Sequence, residues 1–177
     1  MRDYTVPQKN EVSEANQAIF ENLESKLGFV PNLYAYYAKN ETALGDYLSF
    51  QGRKSTLRAK EKEVVNLVVS QFNGCQYCLS AHTAIGKMNG FTDEEILAIR
   101  KGEISFDAKL SALAGLAQEI VANKGNASES SREAFFSAGY DESNLIDVIV
   151  LIGEKVISNY IHNFTKFPID FPIAKEI

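Results

Sequence analysis

Glu63-Val64-Val65-Asn66-Leu67-Val68-Val69-Ser70-Gln71-Phe72 runs into Asn73-Gly74, and then into Cys75-Gln76-Tyr77-Cys78-Leu79-Ser80-Ala81-His82. The β-branched run suggests a strand, but the segment extends from Leu57 to Phe72. Val64, Val65, Val68 and Phe72 fall on one helical face, so length and spacing select a buried helix. Asn73-Gly74 stops it with residues that tolerate left-handed backbone, and a second helix follows from Cys75 to about Asn89, ending at Gly90. If the two pack antiparallel about that break, Glu63, ten residues before it, and His82, eight after it, are level at about 1.5 Å per residue. Glu63 lies beside Asn66 and Ser70, outside the centre of the apolar arc, so a second packed face is needed to bury it.

The same punctuation continues in both directions. Leu27-Gly28 closes a first helix from about Ser13, Pro31 opens a second, Asn40 caps a third and Thr56 caps the segment Leu57 to Phe72. Thr92 and Glu95 form a capping box for a helix ending at Gly102; Asp107 opens another, Ser128 starts the next and Gly139 ends it. Asp141 precedes a long helix, Glu142 to about Thr165, with an extended Pro-containing tail behind it. No hairpin signal or sustained alternation interrupts the series. The expected fold is all-α, a compact multi-helix bundle in one domain, 1–177. Tyr34, Tyr36, Tyr37, Phe135 and Phe136 read as core or subunit interface.

Glu63 precedes Cys75 and Cys78 by twelve and fifteen residues, and Asp147 precedes Asn159 and His162 by the same intervals. This reads either as a degenerate internal two-fold repeat or as the chance likeness of two apolar helices.

Composition narrows the function classes. The chain of 177 residues is 45% hydrophobic and 23% charged, with a net charge of −5 and no Lys/Arg cluster, which disfavours nucleic acid and anionic membrane partners. The N-terminal stretch has no apolar signal region and no apolar run spans a bilayer, so a cytoplasmic location is expected. In that compartment two cysteines are not a structural staple, and their CxxC spacing indicates redox or metal chemistry.

Gly74 puts Cys75 at a helix N-terminus, where free N–H groups and the helix dipole favour a thiolate, so Cys75 is expected to be acidified. Offsets of three, four and seven align Cys75, Cys78 and His82 along one stripe, a thiol pair with a proton acceptor. Zinc held by Cys75, Cys78, His82 and either Glu63 or His162 is the sharper rival, although no second knuckle is present. Leu79 after Cys78 excludes CxxCH haem attachment, and no phosphate loop, nucleophile elbow or dinucleotide fingerprint occurs. His162, among Tyr160, Ile161 and Phe164, reads as a satisfied core or interface histidine.

The string Glu63, Cys75, Cys78, His82 resembles the redox motif of alkylhydroperoxidase D-like proteins in the carboxymuconolactone decarboxylase superfamily. Its surroundings, Asn73 to Thr83 with Leu27-Gly28-Phe29-Val30-Pro31-Asn32 and Gly90-Phe91-Thr92-Asp93-Glu94-Glu95-Ile96, resemble the peroxidase-related branch. The likeness is specific over about 27–102, the redox-active part, and diffuse over about 103–177. It implies a thiol-dependent hydroperoxidase that cycles a Cys75–Cys78 disulfide and needs no other cofactor and no metal. In that scheme Cys78 meets the peroxide, Cys75 resolves, His82 relays the proton and Glu63 supports His82.

The name-giving enzyme has a histidine between its cysteines where this chain has Tyr77, a packing residue or a hydrogen-bond contact to sulfur or peroxide. The implied partners are a hydroperoxide, a thiol reductant such as a lipoyl-type dithiol or a peroxiredoxin, and further copies of the chain in a homo-oligomer, a trimer or hexamer. The competing readings are a dithiol carrier for protein disulfides, a decarboxylase-like lyase, and a helical interaction protein holding zinc.

Overall fold

The computed structural model describes residues 3–177, and no strand occurs among them. After a 3-10 turn at Lys9–Glu11 the described residues form nine α-helices: α1 (Glu14–Leu27), α2 (Asn32–Tyr37), α3 (Ala43–Gln51), α4 (Ala59–Phe72), α5 (Gln76–Met88), α6 (Asp93–Lys101), α7 (Ala108–Ala122), α8 (Glu129–Ser137) and α9 (Glu142–Thr165). The fold is all-α. By internal contacts the chain divides into two compact units, residues up to Lys54 with Phe164–Asp170, and Ser55–Asn163 with Phe171–Ile177.

In the first unit the Ser13 hydroxyl accepts from the Asn16 N–H at 3.3 Å and starts α1. Pro31 caps α2, and Asn40 Oδ1 accepts from the N–H groups of Thr42 and Ala43 at 3.1 Å each, opening α3. Phe20, Leu33, Leu44 and Tyr47 are buried, and the Tyr37 and Tyr47 rings stack at 4.5 Å. Asn32 Nδ2 donates to the Pro168 carbonyl at 3.0 Å, and Tyr36 stacks on Phe167, tying down the 164–170 segment.

The second unit is organised by α4, which packs against α5, α6 and α7. With neighbours on several sides, nearly every residue from Glu61 to Ser70 is buried, including Glu63. The second packed face that Glu63 required is therefore present. Phe72, expected on the apolar face, is in the last turn and 51% exposed. Thr56 also departs from expectation. Arg58 occupies the N-cap of α4, with Glu61 Oε2 accepting from the Arg58 N–H at 2.7 Å. Thr56 instead donates from N and Oγ1 to Asp147 Oδ2, because a buried carboxylate offers a stronger acceptor than a helix end offers a donor. The caps at Thr92, Asp107 and Ser128 form as read.

The break between α4 and α5 is a Schellman turn. Cys75 N donates to Ser70 O at 3.0 Å and Gly74 N to Gln71 O at 3.1 Å, with Gly74 at φ +62°. Two free carbonyls are satisfied and the chain re-enters a helix at once. The second half has no counterpart, since α9 runs uninterrupted through the positions that align with Asn73-Gly74. Among the described residues no helix is long and apolar enough to cross a membrane.

Gly74→Ala isolates the backbone cost of this turn, because a Cβ there meets nothing within 4 Å. The substitution is expected to cost about 1–2 kcal/mol and lower Tm by roughly 2–8 °C. Gly153→Ala inside α9, also unobstructed, is expected to hold or raise Tm. Thermal unfolding of the two variants checks the contrast.

Candidate active site

Cys75 is the N-cap of α5, and its sulfur accepts from the Cys78 N–H at 3.3 Å. One turn on, Cys78 brings its sulfur 2.8 Å from that of Cys75, and both thiols are free and buried, at 0% and 2% exposure. His82 follows after one more turn. Its Nδ1 lies 2.7 Å from Glu63 Oε2, and Asn66 Nδ2 donates to Glu63 Oε1 at 3.0 Å. The antiparallel pairing of α4 and α5 about Gly74 brings these residues level.

Burial raises the Glu63 pKa, but the His82 charge and hydrogen bond, the Lys155 charge and the Asn66 amide outweigh it, so Glu63 titrates below its ordinary value. An ionised carboxylate only accepts, so Nδ1 of His82 carries a proton toward Glu63, and Nε2 is the ring nitrogen left to exchange one.

The two sulfurs share one proton unequally. The hydrogen bond from Cys75 stabilises charge on Cys78; burial opposes it, while Lys155, His82 and Asn159 reinforce it, and the Cys78 thiol is pushed down to about 6. Cys75, donating that bond, buried and facing the resulting negative charge, is pushed far up. The expectation that the helix N-terminus acidifies Cys75 is therefore corrected. The dipole and one N–H act on Cys75, but holding two thiolates 2.8 Å apart without water costs more.

Three contributors come from α9. Lys155 is 3% exposed, with its ammonium 4.0 Å from Glu154 Oε1, and its charge acts on both Glu63 and Cys78. The Asn159 amide favours the charged form of both sulfurs; its Nδ2 donates to Ser70 Oγ at 3.2 Å and its Oδ1 accepts from Asn73 Nδ2 at 2.9 Å. His162 is buried, with Nδ1 4.0 Å from Cys75 Sγ. Lys155 and Asn159 were missed as site residues. The available signal was their four-residue spacing, with His162 three further on, which makes a polar stripe on an otherwise apolar helix.

Tyr77 is buried, with its ring tilted against His162 at 5.1 Å and edge-on to Phe171 at 5.6 Å. The C-terminal segment covers this end of α5: Gln76 Nε2 donates to Ala174 O at 2.7 Å and Ala174 N to Ser80 Oγ at 3.0 Å. Among the described residues no three His, Cys, Asp or Glu side chains are grouped to hold a metal ion.

The site thus consists of a buried dithiol with one acidified sulfur beside a carboxylate-held histidine. Residues 36–119, which include Glu63, Asn66, Cys75, Cys78 and His82, match the carboxymuconolactone decarboxylase family. This segment belongs to that family, and its fold is of the alkylhydroperoxidase D-like kind.

An uncharacterized peroxidase-related protein from Silicibacter sp. TM1040 is 24% identical and superposes with a TM-score of 0.81 over 93% of this chain and 91% of its own. A second such protein, an alkylhydroperoxidase AhpD core from Ralstonia eutropha JMP134, is 19% identical with a TM-score of 0.81 over 90% and 87%. The debrominase Bmp8, as a cysteine-to-alanine variant in complex with 2,3,4-tribromopyrrole, is 16% identical with a TM-score of 0.78 over 96% and 92%. These likenesses concern the fold. No curated protein matches the sequence.

Removing the buried cation tests the electrostatics. In Lys155→Met the pH midpoint for alkylation of Cys78 is expected to move upward from about 6 toward the ordinary thiol range. At neutral pH the variant then holds a smaller thiolate fraction than the parent. Iodoacetamide rates measured across pH check this, and an unchanged midpoint contradicts it.

Proposed function

We propose that this protein is a thiol-dependent hydroperoxidase. The observation that carries the reading is the thiol–thiolate pair, Cys75 and Cys78, 2.8 Å apart beside the Glu63–His82 pair. The Cys78 thiolate attacks the outer peroxide oxygen, the O–O bond breaks, and the departing alkoxide takes the proton that His82 Nε2 accepted when Cys78 ionised. Cys78 becomes a sulfenic acid. Cys75 then attacks the Cys78 sulfur, the S–O bond breaks, water leaves, and the disulfide is formed. An external dithiol reverses the oxidation by thiol–disulfide exchange. Glu63 holds His82 by Nδ1, so that Nε2 takes the Cys78 proton and gives it up, and the resident redox group is the cysteine pair itself.

Burial of both sulfurs favours a small electron acceptor over a protein disulfide, since exchange with a protein needs an accessible sulfur. This ranks hydroperoxide reduction above the dithiol-carrier reading. The lyase reading does not use the paired cysteines. The reductant, by the same argument a small lipoyl-type dithiol, and assembly as a homo-oligomer are proposed along with the activity.

The test is alkyl hydroperoxide consumption with a small dithiol as sole reductant. Cys78→Ser and Cys75→Ser are expected to abolish turnover, and His82→Asn to lower it by about 10²–10⁴-fold. The fold likeness to a debrominase adds a brominated aromatic as a comparison acceptor. No peroxide turnover by the parent protein, or turnover that survives both serine substitutions, contradicts the proposal.

A further inference from the structure

The two sulfurs need protons moved at different times. While Cys78 is a thiolate, its charge and its acceptance of the Cys75 S–H bond keep the proton on Cys75. Once Cys78 is oxidised to a neutral sulfenic acid, that charge is gone. Cys75, as the N-cap of α5 with the Cys78 N–H aimed at its sulfur, then has a position that favours a thiolate. Its proton still needs an acceptor in a place closed to bulk water. Of the groups in contact with Cys75 Sγ, Cys78 is the reaction partner and the Cys78 N–H is a donor, and the Asn159 amide that acts on the sulfur does not accept its proton. His162, with Nδ1 at 4.0 Å, is the titratable base.

We infer that His162 of α9 is a second catalytic histidine, which takes the proton from Cys75 as it attacks the oxidised Cys78 and returns it to the departing oxygen. The inference rests on the hydroperoxidase reading. It adds a division of labour: His82, oriented by Glu63, serves the first step at Cys78, and His162 serves disulfide closure at Cys75. In that second step the Cys75 sulfur forms the S–S bond, the Cys78 S–OH bond breaks, and the leaving hydroxide and the His162 proton combine as water.

His162 lies outside the family-matched residues 36–119. The Tyr77 ring is tilted against its imidazole at 5.1 Å.

The experiment separates the two steps in single turnover, with reduced protein and His162→Gln, and with His162→Phe as the ring-retaining second variant. With an alkyl hydroperoxide, the variants are expected to lose peroxide at the parental rate but to accumulate a sulfenic acid on Cys78 that a cyclic 1,3-diketone traps. Disulfide closure is expected to slow about 100-fold.

A second arm replaces peroxide with dithiobis(nitrobenzoate), which releases one chromophore on attack by Cys78 and another when Cys75 resolves the mixed disulfide. The first release is expected to be unchanged and the second slowed to the same extent. Parental closure rates in both variants, or equal slowing of both steps, overturn the role of His162. If the parent protein consumes no peroxide, the hydroperoxidase reading fails, and the disulfide arm alone decides whether His162 serves Cys75.

Discussion

Four ionisable groups, Glu63, Cys78, His82 and Lys155, are buried in one unit of this chain, and their mutual compensation is the constraint on which the site depends. Each unpaired buried charge costs several kcal/mol. The carboxylate is therefore bonded by an imidazole and an amide, and the thiolate by a neighbouring thiol, with the lysine charge acting on both anions. Removing one member leaves another charge without its partner, which ties the chemistry of the site to the stability of the packing around α4.

The helices meet this demand through one sharp turn. The Schellman hydrogen bonds at Gly74 end α4 and hand the next residue directly to the N-cap of α5. One sulfur is thereby held by the helix end while the other, a turn later, faces the charges of His82 and Lys155. Asymmetry between two chemically identical side chains follows from position. Cys78 begins as the stronger acid, and Cys75 gains from its helix-end site once the neighbouring charge has been consumed. In the proposed mechanism this asymmetry sets the order of attack and resolution.

Much of this was legible in the residues. Caps at Ser13, Thr92, Asp107 and Ser128 announce themselves because their hydroxyls or carboxylates satisfy bare N–H groups locally, and those bonds form. The Glu63–His82 contact followed from counting residues on either side of Gly74. What escaped was non-local. Thr56 is claimed by Asp147, ninety-one residues away, and Lys155 and Asn159 reach the cysteines from α9 across a comparable interval. The Cys75 expectation failed differently: the helix-dipole argument was sound by itself, but burial and a thiolate 2.8 Å away were the larger effects.

The account is tested most directly by mass spectrometry of the reduced protein after one equivalent of alkyl hydroperoxide, with denaturation and alkylation of any remaining thiols. It predicts a protein lighter by two hydrogens, unalkylated at both positions, with an intrachain Cys75–Cys78 disulfide in the peptide that carries them. Two alkylated thiols, or an over-oxidised Cys78 with Cys75 still free, would contradict it.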